Sequence, residues 1–211
     1  MNPIIVINFK TYKQGSSVLN LARKIEKVNK NIIIGVQASD IYEIKKATNL
    51  IIYSQHVDYQ KEGRATGFIL PEAIKKDGAV GSFLNHSEHK LSFSILKKTI
   101  ERCMQVGLKT IVFASSIKEA QKIEKLNPDY LVYEPPELVA GKLSVSEAKP
   151  EIIKKISKIL KMKFLVGAGI HTKKDIETAI KLGASGIAVS SAVVLAKNPE
   201  KKLRELVKHS K

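Results

Sequence analysis

Thr110-Ile111-Val112-Phe113-Ala114-Ser115-Ser116-Ile117-Lys118-Glu119 is the stretch whose reading decides the fold. Its first half is uncharged and rich in β-branched and aromatic residues, the composition of a strand buried on both faces. Its second half opens a helix. Ser116 offers an N-cap oxygen, and Glu119 places a carboxylate in the first turn, where the helix dipole favours it. A buried strand that runs directly into a helix is one half of a parallel crossover.

The same unit recurs along the chain. Strand-like runs lie at Ile4 to Asn8, Ile32 to Val36, Ile51 to Gln55, Ala79 to Leu84, Thr110 to Ala114, Tyr130 to Tyr133, Lys163 to Val166 and Gly186 to Ser190. Helix starts fall between and after them at Ser16-Ser17, Pro71-Glu72, Ser116 with Glu119, Pro150-Glu151, Thr172 with Asp175, and Asn198-Pro199-Glu200, with a short helix expected near Asp40 to Ala47. Apolar residues three and four apart, as in Leu96, Ile100, Cys103 and Met104, give these helices one buried face. Eight strand-helix units predict an all-parallel sheet, and eight is the number that closes into a (β/α)8 barrel. The rival is a doubly wound open sheet. No linker or repeat divides the sequence, so residues 1–211 are expected to form a single domain.

Composition narrows the function classes. With 44% hydrophobic residues in 211, the chain can bury a full core. No apolar run approaches the ~20 residues of a membrane helix, and the first residues lack a signal-peptide pattern, so a soluble, cytoplasmic protein is expected. Cys103 is the only cysteine, which excludes an intramolecular disulfide or a cysteine-cluster zinc site. The net charge is +16, which raises nucleic acid or an anionic small molecule as partner. Of 36 basic residues only 4 are Arg, and aromatic content is 6%. Base reading leans on the arginine fork and on aromatic stacking, so the small anion is the better match.

In a parallel barrel, chemistry gathers where the strands end. Those ends are polar here: Asn8-Phe9-Lys10, Gln55-His56, Asn85-His86-Ser87-Glu88, Tyr133-Glu134-Pro135-Pro136, Gly167-Ala168-Gly169 and Ser190-Ser191. Singly, each has an ordinary explanation as a turn or a satisfied polar residue. Together they bring a base, an imidazole, a lysine and glycine-exposed amides to one rim.

Asn8-Phe9-Lys10, Asn85-His86-Ser87-Glu88, Tyr133-Glu134-Pro135-Pro136-Glu137-Leu138 and Gly167-Ala168-Gly169-Ile170 occur in order across the chain and resemble the triosephosphate isomerase family in its short archaeal form. Gln55-His56-Val57-Asp58, Thr66-Gly67, Leu70-Pro71-Glu72-Ala73 and Gly78-Ala79-Val80-Gly81 add to the likeness. The resemblance implies interconversion of dihydroxyacetone phosphate and glyceraldehyde 3-phosphate, in glycolysis and gluconeogenesis, with no cofactor and no metal. It makes Glu134 the base, His86 a neutral donor, Lys10 the cation and Asn8 the residue that orients both substrate and Lys10. In the family the imidazole is kept neutral by a helix amino terminus, here expected between Ser87 and Ser92. Glu88 is expected to pair with a rim cation. The phosphate falls to amides at Gly167 and Gly169 and to Ser190 and Ser191, under a lid from Pro135 to Gly141 that brings Val139 over it.

The sequence departs from the family mainly in that lid, where Val139-Ala140-Gly141-Lys142 stands for the usual Ile-Gly-Thr-Gly. Ser191-Ala192 likewise replaces a pair that often contains glycine. His171 stands where the family often has serine and is expected to be exposed; His56 and His89 carry no expected role in the chemistry. The segment from Gln55 to Leu70 corresponds to the family's intersubunit loop, with Thr66 near the partner's site, so a homodimer or homotetramer is expected. Two rivals remain at this stage: another barrel enzyme for phosphorylated metabolites, and a catalytically silent basic binding protein.

Overall fold

The apolar runs become strands, as the sequence leads one to expect. In the computed structural model, which describes residues 3–135, 146 and 149–207, the strands are β1 Ile4–Asn8, β2 Ile33–Val36, β3 Ile51–Ser54, β4 Gly81–Leu84, β5 Lys109–Ala114, β6 Tyr130–Tyr133, β7 Phe164–Val166 and β8 Gly186–Val189. All pair in parallel with their sequence neighbours. β1 also pairs with β8, Ile4 opposite Gly186 through Ile7 opposite Val189. That pairing closes the barrel and excludes the open sheet.

The described helices are α1 Ser16–Glu26, α2 Ile41–Ala47, α3 Pro71–Lys76, α4 Phe93–Val106, α5 Ile117–Glu124, α6 Pro150–Ile159, α7 Lys173–Lys181, α8 Ser191–Val194 and α9 Pro199–Val207. Ser92 and Ser116 cap α4 and α5 by accepting the amides of Ile95 and Glu119, and Thr172 with Asp175 forms a reciprocal capping box on α7. α4 ends at Gly107, whose φ of 74° suits a residue without a Cβ. Among the described residues, no helix is long and apolar enough to cross a membrane.

Alternation along each strand divides the core in two. Val6, Ile33, Tyr53, Phe83, Phe113, Val132, Leu165 and Ala188 point into the barrel, while neighbours such as Ile5, Ile7, Ile34 and Ile52 pack outward under the helices. The interior is filled chiefly by three rings, with Phe83 5.9 Å from Tyr53 and 5.5 Å from Phe113. Glycine makes their room: a Cβ on Gly35 would meet the Phe83 ring at 1.9 Å. Replacing Gly35 with Ala is therefore expected to cost about 1–3 kcal/mol through overpacking, read as a lower urea midpoint. An unchanged midpoint would show that Phe83 has space to move.

Candidate active site

Because both faces of every strand are buried, polar side chains collect at the carboxyl rim. Asn8, the last residue of β1, is 8% exposed, and its Oδ1 accepts from the Lys10 amide at 2.9 Å. That bond stabilises a tight turn in which Lys10 takes φ 47°, a left-handed conformation unusual for a lysine. Gln55, just after β3, donates to the Lys10 carbonyl at 2.8 Å. With its backbone held at both ends, Lys10 extends Nζ to Glu88 Oε1 at 2.5 Å. Glu88 thus does pair with a rim cation.

His86 is 7% exposed, edge-on to Phe113 with ring centroids 4.7 Å apart. Its Nδ1 accepts from the Glu88 amide at 3.1 Å. An amide can only donate, so Nδ1 is unprotonated and the neutral ring carries its proton on Nε2. The helix start expected between Ser87 and Ser92 falls at the far end of that stretch, where Ser92 caps α4, so the helix does not reach His86. Residues 86–89 form a single turn, His89 N to His86 O at 2.9 Å, and α4 starts only at Phe93. The donor to Nδ1 is one loop amide instead of a helix end. Glu88 Oε2 also lies 3.7 Å from Nδ1, beyond hydrogen-bonding reach.

Nε2 faces Glu134, whose Oε2 lies 3.2 Å away. The contact is close but not aligned, since Oε2 is buried without a hydrogen bond. Such an acceptor costs free energy unless another donor or an acidic proton meets it. Glu134 follows β6 and extends its ladder through its own amide to Ala114 O at 2.9 Å. Gly167 lies against its carboxylate: a Cβ there would sit 3.0 Å from Glu134 Oε1. The Gly167 amide donates to Tyr133 O at 2.9 Å and so is not open to a phosphate. Its glycine accommodates the carboxylate, which corrects the expectation from sequence.

Ala168 and Gly169 take φ 73° and 65° in succession, turning the chain sharply after β7. Opposite them, Ser190 and Ser191 begin α8, whose first amides lack intrahelical partners as at any helix start. Ser190 Oγ is likewise buried without a hydrogen-bond partner. Asn8, Lys10, His86, Glu134, Gly169, Ser190 and Ser191 all line one cleft. His171 lines it as well and is half-buried, not exposed as expected. Val139, Ala140 and Lys142 lie outside the described residues.

From sequence, Gln55, Phe113, Asn85 and Glu119 carried no assigned part in holding the catalytic side chains. Asn85 and Glu119 form a network behind the rim. Glu119 accepts from Asn85 Nδ2 at 2.8 Å, Lys90 Nζ at 2.8 and 3.1 Å, Ser115 N at 2.7 Å and Ser115 Oγ at 2.6 Å. The Ser116-Glu119 spacing that signals a helix start also concealed this second use of Glu119. Beside the cleft, a neighbouring cavity is lined by Gln55, His56, His86, Glu88 and His89. There the rings of His56 and His89 stack 4.3 Å apart, and burial lowers the His56 pKa against the opposing pull of Asp58.

A closed (β/α)8 barrel that gathers a carboxylate, an imidazole, an ammonium and a glycine turn on its carboxyl rim has the layout of the barrel enzymes, whose active sites lie at that face. Comparison with known proteins narrows the class. The family model described as triosephosphate isomerase matches residues 3–209. Triosephosphate isomerase of Saccharolobus solfataricus is 41% identical, covering 97% of this chain and 95% of its own. That of Methanocaldococcus jannaschii is 40% identical over 97% and 99%. The chain belongs to the triosephosphate isomerase family. The fold agrees with the crystal structure of triosephosphate isomerase from Bartonella henselae at TM-score 0.76 and 19% identity, covering 97% and 98% of the two chains.

Burial alone would raise the Glu119 carboxyl, but hydrogen bonds from Lys90, Ser115 and Asn85 outweigh it and hold the group at about 2 against an ordinary 4.5. A depressed carboxyl stabilises the fold above its unfolded value, and that stability is lost as pH falls through the folded value. Urea titrations should therefore show the unfolding free energy falling between pH 4.5 and pH 2, and Glu119→Gln should shrink that fall. An equal fall in the variant would remove Glu119 as its source.

Proposed function

We propose that this chain interconverts dihydroxyacetone phosphate and glyceraldehyde 3-phosphate, with Glu134 as the base that moves the carbon-bound proton. The observation that carries the reading is the buried, unbonded Glu134 Oε2 beside His86 Nε2. A carboxylate in that position takes a proton from the carbon next to the carbonyl and returns it to the neighbouring carbon. The enediolate formed between the two transfers holds its charge on oxygen, where the Nε2 proton of His86 and the ammonium of Lys10 stabilise it. A neutral donor suits this step, because it can give up its proton to one oxygen and recover one from the other. Asn8 fixes the turn that presents Lys10, and its own amide group faces the substrate.

The phosphate is assigned to the Gly169 turn, the Ser190 hydroxyl and the first turn at Ser191, since backbone amides there approach an anion without obstruction. Val139 belongs to the lid that would close over it and exclude water. The whole chain, residues 1–211, is read as one barrel domain acting in the cytoplasm in glycolysis and gluconeogenesis. Purified protein should turn over dihydroxyacetone phosphate in a coupled assay without added metal. Glu134→Gln should lower kcat by about 10²–10⁴-fold with the circular dichroism spectrum unchanged. Undiminished turnover in that variant would sink the assignment.

Assembly is proposed as a homodimer or homotetramer, with the Gln55 to Leu70 segment reaching toward a second copy. The cavity beside the cleft, which shares Asn8, Lys10 and His86 with it, supports a partner seated next to the chemistry. Specific activity is expected to fall on dilution, in step with dissociation in analytical ultracentrifugation. Constant activity in a protein shown to be monomeric would exclude a catalytic need for assembly.

A further inference from the structure

The loop that carries His86 is held from behind by side chains that do not line the cleft. Asn85 is 2% exposed at φ 60°, a conformation asparagine tolerates better than most residues. Its Nδ2 donates to Phe113 O at 2.9 Å and to Glu119 Oε1 at 2.8 Å, and its Oδ1 accepts from Leu91 N at 3.1 Å. The last bond closes residues 85–91 into a ring with His86 just inside it. Lys90, from the same loop, also ends on Glu119. One carboxylate on α5 therefore ties down two points of the loop, and Ser115 fixes that carboxylate from the end of β5.

We propose that Glu119 is a positioning residue for His86, acting through Asn85 and Lys90 to hold the 85–91 loop so that the Glu88 amide stays on Nδ1. This rests on His86 being the proton donor, as proposed above. A backbone amide is aimed only by the torsions of its loop, and at 3.1 Å the bond has little slack. Which ring nitrogen is protonated depends on the bond the other makes. Once the amide swings away, Nδ1 is free to take a proton. The charged groups facing the ring are then the Glu88 carboxylate, 3.7 Å from Nδ1, and Glu134, 3.2 Å from Nε2; both favour imidazolium, while Lys10 is engaged with Glu88. A cationic ring is a far stronger acid than the neutral donor and pairs with the Glu134 carboxylate 3.2 Å away, which engages the base that the step needs. The phosphate contacts lie across the cleft after β7 and β8, outside the reach of the brace.

The test compares full-length wild type, Glu119→Gln, Arg102→Met and His86→Gln. Arg102 pairs with Glu72 and ties α4 to α3 away from the rim, so its variant controls for lost stability. In wild type, imidazole ¹⁵N shifts should report a neutral His86 protonated on Nε2. Glu119→Gln should lower kcat on the order of 10- to 100-fold, as small misplacements of catalytic groups do, with KM within about twofold. The acid limb of its kcat profile should move to higher pH, and its ¹⁵N shifts should show protonated Nδ1. Arg102→Met should lower Tm yet keep the wild-type kcat and spectrum. If Glu119→Gln fails to fold, Lys90→Met removes one tie and should shift the same readouts less far. Wild-type kcat and spectrum in Glu119→Gln, or in its substitute, would confine the residue to a structural role, and so would equal kcat losses in Arg102→Met. Full activity in His86→Gln would overturn the donor assignment instead; the ¹⁵N readout, taken without substrate, still judges the brace.

Discussion

In a closed parallel sheet each strand is buried on its inner and outer face, and this leaves polar groups almost nowhere to go but the strand ends. Val6, Tyr53, Phe83 and Phe113 fill the interior, and isoleucines and leucines line the space beneath the helices. A carboxylate or imidazole placed mid-strand would be stranded without partners, at a cost that marginal stability does not allow. Closure therefore confines the chemistry to a ring of short segments. Residues far apart in sequence, such as Lys10, His86 and Glu134, become neighbours there because the strands carrying them end at one height. The rim tolerates strain the barrel does not: the left-handed turns at Lys10, Asn85 and Ala168 all lie at strand ends.

Much of this architecture was legible in the sequence. The strand-like runs fall within a residue or two of the strands, because uncharged β-branched runs have no alternative when both faces are apolar. Ala79 and Val80 precede β4 instead of belonging to it, since the ladder proper starts at Gly81. The members of the cleft were readable as polar ends of apolar runs. What sequence did not show was how backbone groups are used. Gly167 looked like an amide offered to an anion, yet that amide is committed to Tyr133 and the missing Cβ leaves space for Glu134. The stretch from Ser87 to Ser92 suggested a helix start, and Ser92 does cap α4, but the donor to the ring nitrogen is the Glu88 amide in the turn before it.

Asn85 and Glu119 were illegible for a different reason. Each already had a sufficient local explanation, a strand end and a first-turn carboxylate. Nothing in their spacing of 34 residues marks the 2.8 Å bond between them. Side-chain bonds between elements depend on where the barrel sets its loops, and that becomes known only once the sheet has closed. The same holds for Gln55, whose bond to the Lys10 carbonyl spans the ends of β1 and β3.

Glu88 bonds Lys10 through its side chain and His86 through its amide. One residue thus sets the spacing between a cation and an imidazole, and the ring from Asn85 to Leu91 leaves that spacing no play. Rim loops that only connect elements are free to lengthen, shorten or drift as sequences diverge. This one is not, because a single inserted residue would move the charged side chain and the donating amide out of phase together. The rim loops are therefore not equally free in length: the segment after β4 keeps two catalytically placed groups in register only at its present length.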